Sequence, residues 1–413
     1  MRRSAMVLAM LIIAVFSVAA DINAQYVEYV GSYTTSDWAI GVCISGNYAF
    51  VAANYSGLQI INLSNPSNPT LAGSCDTPGS SREVSVSGNY AYVADLGSGV
   101  QIINISDPTN PTLVGSYSGV SPRGVFVSGN YAYAGDSYSG FQVINIINPS
   151  NPTLAGSCDT LGGGDEGVFV SGNYAYVMDN YYGLNIINIS NPVSPLLVGN
   201  YDTPGMATGV FVRGNYAYAA DGASGLQIIN VSNPLNPILA GSYDTPGFAW
   251  EVFVEGDYAF VADSDSGLQI INISSPASPT LIGNYNSHVN ASGVFVSGDY
   301  IFVADYASLL ILRFTPNSIG EYRGLPYDYS LSQNYPNPFN AQTKITYSLT
   351  QRSDVSIDIF DILGRRITQL SESSKEAGNY AVNWDATGFS SGVYFYRLTA
   401  GDYQETKRMM LLK

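Results

Sequence analysis

The tripeptide Gly-Asn/Asp-Tyr recurs along most of this chain, starting at Gly46, Gly88, Gly129, Gly172, Gly214, Gly256 and Gly298, in steps of 42, 41, 43, 42, 42 and 42 residues. So regular a period means one supersecondary unit stacked on copies of itself, because a single unit of this size cannot bury its own apolar face. Each copy reads as four short apolar runs, here strands A to D, as at 252–254, 258–262, 268–273 and 279–285. The tripeptide lies between A and B, where Gly and Asn accept the positive φ of a tight hairpin. Paired prolines, such as Pro66 with Pro69 and Pro108 with Pro111, mark the C–D link. Lacking an N–H, they suit an exposed edge strand and discourage sheet-to-sheet pairing.

The ends of the array say how it is finished. Strand D has its own marker, Gly-Ser/Asn-Tyr/Cys, beginning at Gly31, Gly73, Gly115, Gly156, Gly199, Gly241 and Gly283. The first precedes any strand A, and the seventh unit stops after strand C at 309–314. The N-terminal strand therefore supplies the missing fourth strand of the last unit, which a closed ring requires; an open solenoid would show polar capping repeats instead. Four strands in about 42 residues are the dimensions of a propeller blade. The expected fold is all-β: a seven-bladed β-propeller over residues 25–315, closed by its N-terminal strand. The 42 glycines, 20 prolines and 32 tyrosines, with only 12% charged residues, favour short strands and turns over long helices. The repeats, with runs such as Gly267-Leu268-Gln269-Ile270-Ile271-Asn272-Ile273-Ser274, resemble the LVIVD-type repeats of bacterial surface and exported propellers over about 290 residues. That resemblance implies a propeller and no single activity.

Residues 1–24 read as a secretory signal peptide: Arg2 and Arg3, an apolar run from Ala5 to Phe16, then Ser17, Ala19 and Ala20. The run is too short to span a bilayer, and no other segment is expected to cross one as a helix. Cys43, Cys75 and Cys158 are an odd number for an exported chain, and Cys75 and Cys158 stand where other copies have Tyr, so buried substitution is expected and not a disulfide framework. Residues 25–325 hold 22 acids and five arginines, a net charge of −17, whereas 326–413 hold nine acids and nine bases. That shift places a boundary near 320. The acidic balance leaves no basic footprint for nucleic acid, and one histidine, His288, excludes multi-histidine metal sites.

After a linker at 316–332, residues 333–413 contain Asn334-Tyr335-Pro336-Asn337-Pro338-Phe339-Asn340, Asp361-Ile362-Leu363-Gly364-Arg365, Trp384-Asp385, Ser391-Gly392-Val393-Tyr394 and the ending Lys407-Arg408-Met409-Met410-Leu411-Leu412-Lys413. Period-two runs at 344–349, 355–360 and 393–398 describe a small antiparallel, Ig-like sandwich. The motifs resemble the type A sorting domain of type IX secretion. By that resemblance Asn334, Pro336, Asn337, Pro338, Gly392, Tyr394 and Lys413 belong to the sorting signal, the partner is the type IX machinery, and the address is the outer-membrane surface or beyond in Bacteroidetes-type bacteria.

Strand B ends in Asn54, Asp95, Asp136, Asp179, Asp221, Asp263 or Asp305. A calcium ring is conceivable, but capping of each B–C turn by its own Asx side chain is expected, with no cofactor and no metal. Five Asn-x-Ser triplets, at Asn62, Asn104, Asn188, Asn230 and Asn272, follow the repeat and need no glycan. The D–A and B–C loops share one rim, the A–B and C–D turns the other, and only the first varies between blades. Immediately before strand A the blades place Ile40, Arg82, Arg123, Glu166, Thr208, Trp250 and Ser292, with Trp38, Glu83, Asp165, Phe248, Glu251 and His288 nearby. With strand A innermost, these surround the channel mouth, and mixed aromatic, guanidinium and carboxylate groups there suit a glycan or protein ligand. The ligand-contacting set expected is Trp38, Arg82, Glu83, Arg123, Asp165, Glu166, Trp250, Glu251 and His288. No catalytic residues are assigned, since no nucleophile elbow or phosphate loop accompanies the acids. The expectation is an exported, monomeric, non-enzymatic binding or adhesion protein. The alternatives are a surface spacer or a polysaccharide-degrading enzyme using the rim carboxylates.

Overall fold

The computed structural model describes residues 27–412 apart from 137–139, 161, 163–164, 287–289, 316–329, 335, 350–351, 376–377 and 402. Residues 1–24, the expected signal peptide, lie outside the described residues, as do His288 and Lys413.

Seven four-stranded antiparallel sheets follow one another, each in the order A-B-C-D. In the second blade A is Glu83–Ser87, B Tyr90–Ala94, C Val100–Asn104 and D Thr112–Tyr117. The A–B hairpins turn on two residues, with the glycine at φ between 56° (Gly214) and 61° (Gly298), the left-handed first position of a type II′ turn. Strands B and C are buried almost throughout, which is why they read as unbroken Val/Ile/Ala/Tyr runs without alternation. Strand C ends in an Asx turn: Asn62, Asn104, Asn188, Asn230 and Asn272 each accept the backbone N–H two residues on, at 2.8–3.0 Å. The Asn-x-Ser triplets are thus turn chemistry.

The ring closes as the chain ends require. The N-terminal strand Val27–Ala39 pairs antiparallel with strand C of the last blade, Tyr306–Phe314, from Val27↔Phe314 to Ala39↔Tyr306. Seven interblade cores result, one more than an open row of seven blades would have. The seventh unites Val42, Ala49, Val51 and Ile61 of the first blade with Phe302, Ala304, Leu309 and Ile311 of the last. Strand A is innermost and packs against its neighbours' A strands all round the axis. Five blades open this strand with Gly because the next backbone is too close for a side chain. A Cβ on Gly293 would lie 2.5 Å from Ile40 O across the closing seam, and one on Gly41 would lie 2.6 Å from Arg82 O.

The acids closing strand B do not all cap their own turns. Asp95, Asp221 and Asp263 are fully buried and reach across to the preceding D–A loop. Their Oδ1 atoms accept from Thr77, Thr203 and Thr245 Oγ1 at 2.6–2.8 Å and their Oδ2 atoms from Gly79, Gly205 and Gly247 N at 2.7–2.9 Å. The three loops share the tetrapeptide Asp-Thr-Pro-Gly, with Thr always 18 residues before its acid. Asp179 and Asp305, whose loops lack that tetrapeptide, accept from Tyr181 N and Ser308 N in their own turns. Among the described residues Cys43, Cys75 and Cys158 form no disulfide; they are partly buried and pack against the interblade cores.

The tail forms two further sheets. Ser330–Leu331, Gln342–Leu349 and Gly378–Asp385 make one, and Arg366–Lys375, Ser353–Phe360, Gly392–Ala400 and Tyr403–Leu411 the other. They enclose a shared core of Ile345, Tyr347, Ile357, Trp384, Tyr396 and Met409. Asn334 is buried there: its N–H donates to Tyr396 Oη at 2.8 Å and its Nδ2 to Pro336 O and Thr343 Oγ1. Asn337 Oδ1 accepts Met410 N at 2.9 Å, Tyr394 Oη donates to Ser390 O at 2.7 Å, and Gly392 begins its strand. The Asn-x-Pro-Asn-Pro segment is therefore pinned to the last strand of the tail.

Candidate ligand-binding site at the channel mouth

The A strands enclose a cavity of about 270 Å³ lined by all seven rim residues, Ile40, Arg82, Arg123, Glu166, Thr208, Trp250 and Ser292, and by Glu83 and Glu251 one residue deeper. Below them the third residue of strand A forms a girdle. Phe126, Phe169, Phe211, Phe253 and Phe295 follow one another at ring-centroid distances of 4.7–5.0 Å, with Cys43 and Ser85 in the remaining two places. The channel is polar at its mouth and apolar in its throat.

The rim residues divide by use. Thr208 Oγ1 lies 2.8 Å from Trp250 O, and Ser292 Oγ lies 3.0 Å from Ile40 O, so each hydroxyl fastens its blade to the next. Arg123 pairs with Glu166 at 3.0 Å, and Asn180 Nδ2 donates to the same carboxylate at 2.7 Å. Burial pushes Glu166 upward, against the pull of Arg123. Arg82 Nε and Trp250 Nε1 are buried with no hydrogen-bond partner, although the Trp250 ring packs on Phe248 at 4.6 Å.

Glu83 and Glu251 stand where five blades have Gly, and they fill the room those glycines leave. Glu83 Oε2 lies 3.2 Å from where a Gly41 Cβ would be, and Glu251 Oε1 lies 2.9 Å from the Gly209 equivalent. Each also accepts the following backbone N–H, Val84 at 3.1 Å and Val252 at 3.2 Å. Burial raises Glu83 to about 7. Glu251 is pushed well above the usual carboxylate range, by burial first and then by the charge of Glu83. In the B–C clamps, burial raises Asp263 to about 6 and lifts Asp95 and Asp221 in the same direction. All of these carboxyls bind protons more tightly folded than unfolded, so stability should be fullest at acid pH and decline as pH rises through their folded values. The lowered groups Asp107, Asp361 and Glu405 lose their protons below pH 5 and do not offset this. The melting temperature of the full chain is expected to fall by several degrees between pH 5 and pH 8, and less steeply in Glu83→Gln. A flat or rising profile would contradict these assignments.

The expected site residues are only partly brought together. Arg82, Glu83, Arg123, Glu166, Trp250 and Glu251 line one cavity. Trp38 is 53% exposed outside it, stacked at 5.2 Å and 9° on Tyr306, which does line it. Asp165 starts its strand opposite Asp179. Asn180, Tyr306 and the phenylalanine girdle were not anticipated; Phe at the third place of strand A in five blades was the available signal. The opposite rim is less uniform than expected, since Ile147, Val193 and Leu235 protrude from the C–D turns of three successive blades.

Comparison with known proteins agrees with the fold. No curated protein matches the chain. Among solved structures, a crystal structure of the computationally designed Ika8 protein is similar over 87% of this chain and 99% of its own, with a TM-score of 0.52 and 10% identity, a likeness of fold alone. The secretion system C-terminal sorting domain family matches residues 333–412, and such a tail marks a protein handled by type IX secretion and sent to the cell surface or outside. The LVIVD repeat family matches seven times, at 38–77, 78–119, 121–160, 162–203, 204–245, 246–287 and 290–312, and the chain belongs to the LVIVD repeat family.

Proposed function

We propose that this secreted propeller is a non-enzymatic binding or adhesion module that holds a glycan or protein segment at the channel mouth. The observation behind this is that Arg82 and Trp250 line the cavity while their Nε and Nε1 donors have no acceptor among the described residues. Buried donors are rarely left so, and a ligand supplies acceptors where the fold does not. Glycan and peptide arrays probed with the full chain test it. Trp250→Ala is expected to weaken the captured ligand about thirtyfold, as loss of a buried aromatic anchor worth about 2 kcal/mol does. Asn151→Ala, on the opposite rim, should change little. Equal losses from both variants would remove the site from the mouth, and a chain that binds nothing on either array is the surface spacer instead.

Hydrolysis is the second reading with an observation behind it, because burial raises Glu83 to about 7 and Glu251 in the same direction, the direction a general acid needs. On the binding reading, chromatography of any bound oligosaccharide after long incubation shows no cleavage. Cleavage abolished by Glu251→Gln would establish the enzyme.

A further inference from the structure

The part of the mouth running from blade seven to blade three is one anion short. Among the described arginines of the propeller, Arg213 donates to Gly256 O, Arg313 pairs with Glu28 and Tyr300, and Arg123 pairs with Glu166. Arg82 has no side-chain hydrogen bond or ion pair, although it is half buried and lies beside Arg123. Two neighbouring guanidiniums thus share one carboxylate, and that carboxylate is already bonded by Arg123 and Asn180. In a segment of net charge −17, a guanidinium with no bonded carboxylate stands out.

Next to Arg82 the rim presents flat apolar faces. Trp38 stacks in parallel on Tyr306, whose φ of 63° holds it in the left-handed region, and Tyr55 is 71% exposed. Both tyrosines lie within electrostatic reach of Arg82. One network fixes these loops. Asp37 Oδ1 accepts Trp38 N at 2.8 Å, and its Oδ2 accepts Tyr55 N at 3.1 Å and Asn54 Nδ2 at 3.3 Å. Asn54 Oδ1 in turn accepts Ser80 Oγ at 2.6 Å, from the loop that leads into Arg82. The aromatic faces and the guanidinium are therefore held in place before any ligand arrives.

Resting on the binding reading above, we propose that this part of the mouth is a subsite for an acidic sugar, with Arg82 and Arg123 facing its carboxylate and Trp38, Tyr55 and Tyr306 facing its ring. A guanidinium fork matches a carboxylate, and aromatic faces match the C–H face of a pyranose. A peptide carboxylate offers the first match without the second. Below the rim the girdle of Phe126, Phe169, Phe211, Phe253 and Phe295 offers a carboxylate no donor, so the sugar lies across the rim and does not thread the throat.

The test is titration of the full chain with hexasaccharides of galacturonic, glucuronic and mannuronic acid, the fully methyl-esterified form of each, and a hexaglutamate peptide. At least one acidic hexasaccharide is expected to bind, with its ester and the peptide at least about tenfold weaker. Arg82→Ala and Arg123→Ala should each cost a similar factor, and Trp38→Ala should weaken the sugar without affecting any residual peptide binding. Arg82→Ala breaks no side-chain hydrogen bond or ion pair among the described residues, so an unchanged circular dichroism spectrum separates lost binding from lost fold. Equal affinity for acid and ester, peptide binding as tight as sugar binding, or no binding of any uronate would overturn the acidic-sugar assignment. If Trp250→Ala still weakens some other array ligand, the binding reading survives that failure; if no probe engages the mouth, both fall.

Discussion

Deleting residues 25–36 is expected to leave a chain that does not hold its fold, because it removes most of the strand that completes the seventh blade. That strand pairs with Tyr306–Phe314 along almost its whole length, and Val30 and Tyr33 pack on the core between the last blade and the first. Without it, strand C of the last blade becomes an exposed edge whose Leu309, Leu310, Ile311 and Leu312 are now buried. The loss reaches beyond one blade, since the closing interface shares its residues with both neighbours. A domain's whole margin is about 5–15 kcal/mol, and uncovering a buried strand on this scale consumes it. The truncated chain should aggregate or melt far below the full chain in calorimetry and light scattering. A peptide of residues 25–39 added in trans should restore part of the melting temperature. A monomeric deletion variant with an unchanged melting temperature would show that the ring does not depend on this strand.

What the sequence reveals and what it hides follow from how a propeller is built. Within one blade, contacts run between residues near in sequence, so the Gly-Asn-Tyr turn and the four-strand rhythm are visible to simple counting. Closure is legible for a different reason: an orphan strand D at one end and a missing one at the other are complementary. Contacts between blades repeat at a separation of about 42 residues, and a reading that compares equivalent positions sees variation there without its partner. Thr208 and Ser292 look like free variation but are spent on the next blade's carbonyls. Glu83 and Glu251 look like rim acids but lie deeper, in space freed by Gly41 and Gly209. The Asp clamps were hidden by the nearer explanation, an Asx cap within the turn. Their real partners were marked by Asp-Thr-Pro-Gly, which accompanies each of Asp95, Asp221 and Asp263.

Ending the chain at residue 332 is expected to abolish delivery to the cell surface while leaving the propeller folded. The sorting family matches 333–412, and among the described residues no strand of that region enters a blade sheet. Its core is its own: Trp384, Tyr396 and the strands around them pack on one another and bury the Asn334 motif against Met410 and Tyr396. The charge also changes there, from −17 over residues 25–325 to neutral over 326–413. A detachable address label should behave in this way, because its removal costs the propeller no interblade contact. In the native host, the truncated protein should be retained inside the envelope and absent from the surface and medium. The retained protein should still show the pH-dependent melting expected of the blade carboxyls. Asn334→Ala is the finer probe, since it keeps the backbone bond to Tyr396 but removes the side-chain bonds to Pro336 O and Thr343 Oγ1, and it should lower the tail's stability by about 2 kcal/mol without touching a blade. Normal surface delivery of the truncated chain would remove the sorting role from residues 333–413, and an unfolded retained propeller would show that the tail is part of the blade scaffold.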